Sequence, residues 1–357
     1  MKNRLCLIYL NLTLKTLIIL LLCSFSLFLS EADTNDWIDK SFGLSGKYAS
    51  ALAINPKNYD VVYVAMYEEG VFKSIDAGQS WLPINNGLKT AEDKQIISLA
   101  LDPVNPKILY VGTNTAKIYR TLDGGENWQL INKGIHAGTV IYCKIFSIQI
   151  DPTNSSHLYA ATSTGIYHSK DRGDSWSRIG YRDNGLENTF NMSIAIDYAN
   201  HHILYAASQK GVFKSTDFGE SWIAIGPENS YIQCLAIDQV NSDRIYSGTN
   251  KGLLISSDGG KNWRVGSLKS ERTGNPPSVK SLIINPSHPK QIYAATNVGI
   301  FHSSDSGERW VEIKPQRRLL FWTSNDLAID FSVPISIYSV ANGLKDKPGG
   351  FVWKYSD

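Results

Sequence analysis

A chain of 357 residues that is 43% hydrophobic and carries a formal net charge of only +2 is neither disordered nor built around a basic surface. The charge balance excludes nucleic acid as the expected partner. Length alone would allow two domains, but the repeats decide for one.

In chain order the first element is a targeting segment, residues 1–32. Lys2, Arg4 and Lys15 precede the apolar run LIILLLCSFSLFL, residues 17–29, and SEA at 30–32 offers a small-residue cleavage site. The run suits a signal-peptide core and is short for a membrane-spanning helix. An uncleaved segment would instead tether the protein, and Cys23 after Leu22 fits a lipidated cysteine poorly. Either way the chain is expected to be exported, to a periplasmic, extracellular or lumenal compartment. Lys2, Arg4, Lys15 and Glu31 leave with the segment, so residues 33–357 are close to electrically neutral.

Residues 33–357 are read as a series of short strands. DWIDKSFGL (36–44) matches SWLPINNGL (80–88), placing Trp37, Gly43 and Leu44 over Trp81, Gly87 and Leu88. Then come apolar runs ending in Asn55, Asp102, Asp151, Asp197, Asp238, Asn285 and Asp330. Each is followed by a strand with Tyr in register, at 63, 110, 159, 205, 246, 293 and 338, and by a Gly-led strand such as GVFK, 211–214. Next stands a box of the form [ST]-x-D-x-G-x-x-W, of which KSTDFGESW (214–222) is one copy. Its aspartates are Asp76, Asp123, Asp171, Asp217, Asp258 and Asp305, and its tryptophans are Trp81, Trp128, Trp176, Trp222, Trp263 and Trp310, spaced 41 to 48 residues apart. The Trp is expected to open a fourth strand. Four strands per unit of that period predict a β-propeller blade.

The ends of the chain set the number of blades. The final FVWKYSD falls in register with the Gly-led strand and box of the other units but stops at Asp357. The strand at Trp37 has no blade before it. The expected fold is therefore all-β: a single seven-bladed propeller of four-stranded antiparallel blades, closed by the N-terminal strand completing the C-terminal blade.

A constellation repeated six times around a ring is structural, because an active site needs one convergent set. The Asp is expected to accept backbone N–H bonds in a turn, and the Gly to take φ > 0. Each buried Trp removes about 150–250 Å² of surface from water. The Asx residues ending the apolar runs and the seven tyrosines are expected to serve the turns and the core. Cys143 and Cys234 lie on blades three and five, too far apart in the ring for a disulfide. The histidines at 136, 168, 201, 202, 288 and 302 lack metal-ligand spacing, and no cofactor is implied.

The boxes resemble the Asp-box, or bacterial neuraminidase repeat, of sialidases, xyloglucanases, sortilin-type receptors and photosystem II stability and assembly factors. The resemblance runs from Trp37 to Asp357. It implies that the boxes are structural and that ligands bind on the opposite face. That face carries the connections between blades, and its loops supply the candidate partner-binding residues Arg182, Arg272, Arg317, Arg318, Phe321 and Trp322. Arginine beside exposed aromatics is typical of interface anchors. Arginines neutralised by Asp183, Glu187 and Glu271 would be the plainer explanation.

The function expected is a monomeric, non-enzymatic scaffold holding a protein partner, membrane-associated or not, in the manner of the assembly factors. The alternative is a glycoside hydrolase acting on a glycan, with Asp93, Asp183, Glu187 or Glu228 as candidate carboxylates. Against it, the Arg-Ile-Pro motif of sialidases is absent, their ring has six blades, and xyloglucanases use two tandem rings.

Overall fold

The computed structural model describes residues 37–44, 48–135, 143–180, 185–186, 190–228, 230–314, 324–331, 335–344 and 347–356. They form seven four-stranded antiparallel sheets arranged as blades of one ring. Blade 4 is representative, with strands Asn191–Ile196, Leu204–Ser208, Gly211–Ser215 and Ile223–Gly226. Blade 7 takes three strands from the C-terminus, Ser324–Asp330, Ser336–Leu344 and Lys347–Ser356, and its fourth, Trp37–Asp39, from the N-terminal part of the chain. Trp37 pairs with Tyr355 and Asp39 with Trp353, which closes the ring as the repeats predict. Residues 1–32, expected to form a targeting segment, and Asp357 lie outside the described residues.

Composition explains where each strand sits. Second strands such as Leu204–Ser208 are buried along their whole length, because neighbouring blades cover both faces. First strands line the axis of the ring and touch the first strands on either side. Fourth strands form the outer rim and are short, as unprotected edges must be: Leu82–Pro83, Gln129–Leu130 and Arg264–Val265 are two residues each and exposed. In the complete units the fourth strand starts one residue after the box Trp rather than on it. The indole is thereby free to turn inward toward the preceding blade.

The box turn is the same in every copy. In blade 4 the Asp217 carboxylate accepts the Ser221 backbone N–H at 3.0 Å and the Ser215 hydroxyl at 2.7 Å. The Ser215 oxygen in turn accepts the Gly219 N–H at 2.8 Å. Gly219 has φ +89°, as expected. The residue before it is also left-handed in every box, although four of the six are not glycine: Ala77, Arg172, Phe218 and Ser306 have φ between 54° and 63°.

At Ala77, Gly124, Arg172 and Ser306 the left-handed residue turns its carbonyl toward the preceding blade. The Tyr110 hydroxyl donates to the Arg172 carbonyl at 3.2 Å, Tyr246 to Ser306 at 3.2 Å and Tyr338 to Ala77 at 3.3 Å. Opposite each Tyr on the third strand sits a cationic or imidazole side chain in all blades but the fifth. Lys73, Lys214 and Lys354 lie over Tyr63, Tyr205 and Tyr338, Arg120 donates to the same Arg172 carbonyl, and His168 and His302 stack on Tyr159 and Tyr293. The box Trp reaches back as well: Trp128 Nε1 donates to the Ile84 carbonyl at 2.7 Å, Trp176 to Ile131 at 3.0 Å and Trp263 to Ile225 at 2.8 Å. Trp37 donates to Ile313 at 3.1 Å and so ties blade 7 to blade 6. Gly87 is needed because a Cβ there would lie 2.1 Å from the Trp128 carbonyl oxygen.

The remaining turns follow the sequence reading. Asp102 Oδ1 accepts the Val104 and Asn105 N–H groups at 2.8 and 3.0 Å, closing the turn between the first and second strands. Asp197 does the same in blade 4. All seven tyrosines are buried. Cys143 and Cys234 are buried free thiols, and burial pushes the Cys234 thiol up to about 12.

Two outcomes follow. Replacing Trp37 with Ala removes a buried ring that packs on Tyr355, and is expected to lower stability by about 3–5 kcal/mol in denaturant unfolding. Asp217→Ala is expected to lower it by about 1–3 kcal/mol without removing any specific activity. Burial opposes ionisation of Asp217, but the Ser221 and Ser215 hydroxyls and the Ser221 amide overcome it and hold the carboxyl below its usual range. A depressed carboxylate contributes its stabilisation fully above an unfolded pKa of about 4 and loses it as pH falls below that. The gap between wild type and Asp217→Ala should therefore narrow in unfolding curves recorded at progressively lower acidic pH.

Candidate functional site: the loop face and the central channel

Antiparallel blades sort their connections onto two faces. The boxes and the Asx turns occupy one, where their polar side chains are engaged in the turns themselves. The connections between blades and between second and third strands occupy the other, and the first strands begin there.

Of the six candidate partner-binding residues, the structure places one. Arg272 is exposed on the loop of residues 266–278 between blades 5 and 6; burial pushes the nearby Glu312 carboxyl up, and Lys314 and Arg272 offset this only in part. Beside it, Glu271 is engaged by Lys314. Arg182, Arg317, Arg318, Phe321 and Trp322 lie outside the described residues, as do Asp183 and Glu187. Glu228 is exposed on the connection between blades 4 and 5.

Asp93 turns out to hold a loop in place. It is 3% exposed, within the short helix Glu92–Lys94, and accepts the Lys89 and Thr90 N–H groups at 3.0 and 2.9 Å. Lys117, from the turn between the second and third strands of blade 2, pairs with it at 2.5 Å. Burial disfavours the charge, yet Lys117, Tyr119 and Thr90 outweigh that and hold the carboxyl at about 2. A carboxylate so fixed serves the loop and is a poor proton donor at neutral pH.

The most distinctive chemistry lies in the central channel, which the sequence reading did not single out. A cavity of about 340 Å³ is lined by residues from all seven first strands. At the third position of these strands stand Ala51, Ser98, Ser147, Ser193, Cys234, Ser281 and Asp326. At the second stand Ser50, Ile97, Phe146, Met192, Gln233, Lys280 and Asn325. The polar and charged members with long side chains gather in blades 5 to 7, facing the uncharged residues Ile97, Phe146 and Met192 and the serines at the third position of blades 2 to 4. Both positions fall in the part of the strand nearest the loop face. The other end of the channel is lined by uncharged residues such as Gln149, Ala195, Ala236, Gln239 and Ile283.

Asp326 accepts the Leu52 N–H at 3.2 Å, the Leu327 N–H at 2.9 Å and the Ser281 hydroxyl. Enclosure by the surrounding strands nevertheless raises its carboxyl to about 6. Lys280 donates to Gln233 Oε1 at 2.7 Å, and its own burial lowers its pKa. Elsewhere neutral hydroxyls link adjacent first strands: Ser50 donates to the Ile96 carbonyl and Ser98 to the Ile145 carbonyl, both at 2.8 Å. The fold therefore does not need charge at these positions. Aligning the seven strands position by position would have revealed Asp326 as the one carboxylate at the third. Among the described residues, no cluster of three or more His, Cys, Asp or Glu side chains has a metal-binding arrangement.

Restoring the repeat's hydroxyl with Asp326→Ser tests how costly this carboxylate is. Because its folded pKa is raised to about 6, the native state holds the proton where the unfolded chain has released it. Wild-type stability should then fall as pH rises from about 4 to about 6. Asp326→Ser is expected to gain on the order of 1–3 kcal/mol at about pH 7.5, and much less at about pH 4.5, in thermal or denaturant unfolding.

Comparison with known proteins adds the following. The family model Sortilin-Vps10, described as sortilin, neurotensin receptor 3, matches residues 116–226, from the third strand of blade 2 to the end of blade 4. No curated protein matches the sequence. An ancestral GH74 enzyme is similar in structure, with a TM-score of 0.64 at 19% identity over 88% of this chain and 47% of its own. The GH74 xyloglucanase from Xanthomonas campestris gives 0.66 at 16% identity over 89% and 55%. This chain thus spans about half the length of those enzymes. YCF48 bound to D1 peptide gives 0.66 at 14% identity, covering 91% of this chain and 98% of that one. At these identities the likeness establishes the propeller fold.

Proposed function

We propose that the protein is an exported, non-enzymatic scaffold of the Asp-box type whose loop face holds a protein partner. The observation that carries this reading is the division of labour between the faces. Repeated polar side chains on the box face are used up in turns and links between blades. The loop face has connections of unequal length and carries the exposed Arg272. The similarity to YCF48, seen with a bound peptide and matched over 98% of its length, supports a single ring working as a protein-binding module. The apolar run at residues 17–29 supports export.

Glycoside hydrolysis is the second reading, favoured by the GH74 neighbours and by the raised pKa of Asp326. It needs two carboxylates flanking the scissile bond. Among the described residues lining the channel Asp326 is the one carboxylate, and Asp93 is committed to its loop.

Crosslinking and affinity purification from native membranes separates the two. The wild-type chain should recover a reproducible protein partner, and a variant with Arg272, Arg317, Arg318 and Trp322 all changed to Ala should lose most of it while keeping its melting transition. Failure of the folded wild type to enrich any protein, or release of reducing sugar from xyloglucan or a sialoside, would overturn the scaffold reading.

A further inference from the structure

We propose that the loop-face half of the central channel binds a small zwitterion of the α-amino-acid class. The ligand carboxylate would sit on the Lys280 ammonium and its ammonium group on the Asp326 carboxylate. This site is separate from the loops assigned to a protein partner and does not depend on that assignment.

Four observations converge on it. Lys280 and Asp326 occupy adjacent blades and line the same cavity, yet make no ion pair with each other within 4.0 Å. Each retains unused bonding capacity. An ammonium has three donors, and the bond Lys280 Nζ makes is the one to Gln233. A carboxylate has about four acceptor positions, and Asp326 uses three, for the Leu52 and Leu327 amides and the Ser281 hydroxyl.

Secondly, both charges are held against a desolvation penalty, which places perturbed groups of opposite sign in one concave site. Cys234, the other titratable group of the channel, sits among them with its thiol kept neutral by burial. Thirdly, the side of the cavity opposite these groups carries no charged residue: blades 2 to 4 contribute Ile97, Phe146 and Met192 together with Ser98, Ser147 and Ser193, so a ligand with a charged head meets no competing charge there. Lastly, about 340 Å³ falls in the size range of small-molecule sites and would hold a free amino acid. A neutral stitch like that of Ser98 would satisfy the strand contacts, so the charge at 326 is explained by a ligand.

Isothermal titration calorimetry on the folded chain with glycine, L-alanine, L-leucine, L-phenylalanine, L-glutamate and L-lysine tests the proposal. Acetate, n-butylamine and N-acetyl-leucine amide serve as probes lacking one or both charges. At least one amino acid is expected to bind with a Kd below about 1 mM, at least tenfold (roughly) tighter than each of those three probes. Lys280→Met and Asp326→Asn should each weaken it by about tenfold or more, without loss of the thermal transition. The proposal is overturned if no amino acid binds below about 1 mM, if acetate or n-butylamine binds as tightly as the best zwitterion, or if either folded variant binds like wild type. The comparison of probes on the wild-type chain decides the matter even if a variant does not fold.

Discussion

One bond recurs at four junctions of the ring: the carbonyl of a left-handed box residue accepts a hydroxyl from the tyrosine of the blade before it. It joins a left-handed stretch of backbone in one blade to one of the largest buried side chains of its neighbour. Arg172, Ser306 and Ala77 adopt φ values that side chains normally avoid, and their carbonyls reach Tyr110, Tyr246 and Tyr338 as a result. The Asp and Ser of the box stabilise that turn from within, while the indoles of Trp81, Trp128, Trp176 and Trp263 bond a carbonyl of the preceding blade. A blade alone would leave these tyrosine hydroxyls and most of the indoles without their partners. Stability therefore belongs to the closed circle, and Trp37 matters because it completes the last link.

Closure has a chemical by-product. With the box face consumed by turns and the spaces between blades filled by tyrosine and its cationic neighbours, variation is left to the loops and to the axis. Symmetry makes departures along the axis conspicuous. Six of seven blades place Ala, Ser or Cys at the third position of the first strand, and blade 7 places a carboxyl whose proton is released near neutral pH. Lys280 and Gln233 depart beside it, on the two preceding blades. Charges confined to a channel strengthen one another's field far more than the same charges on an open surface.

The fold was legible because its determinants recur. Seven buried tyrosines in register, Asx-closed turns and six boxes average out the ambiguity of any single strand, and the unmatched strands at the two ends state how the circle closes. The left-handed position before the box Gly was harder to see, since Ala77, Arg172, Phe218 and Ser306 share no chemistry; only Gly124 and Gly259 in the other copies hint at it. The channel was harder still. A wet lumen selects polar side chains at alternate positions just as outside solvent does, so Lys280 and Asp326 read like ordinary surface residues until the ring brings seven strands together. Asp93 misled for the opposite reason: a carboxylate in a variable loop looks available, and only the approach of Lys117 from the facing turn shows that it is committed.

The directions of two strands carry a last consequence. Trp37–Asp39 runs from the box face toward the loop face, and Lys347–Ser356 runs antiparallel beside it, ending at the box face. The ring is therefore entered and left on the same side. Any lipid, helix or fused module joined to either end would hold the molecule by its structural face, like a dish on a stem. The loops and the polar mouth of the channel would then point away from the support, with neither hidden by the attachment.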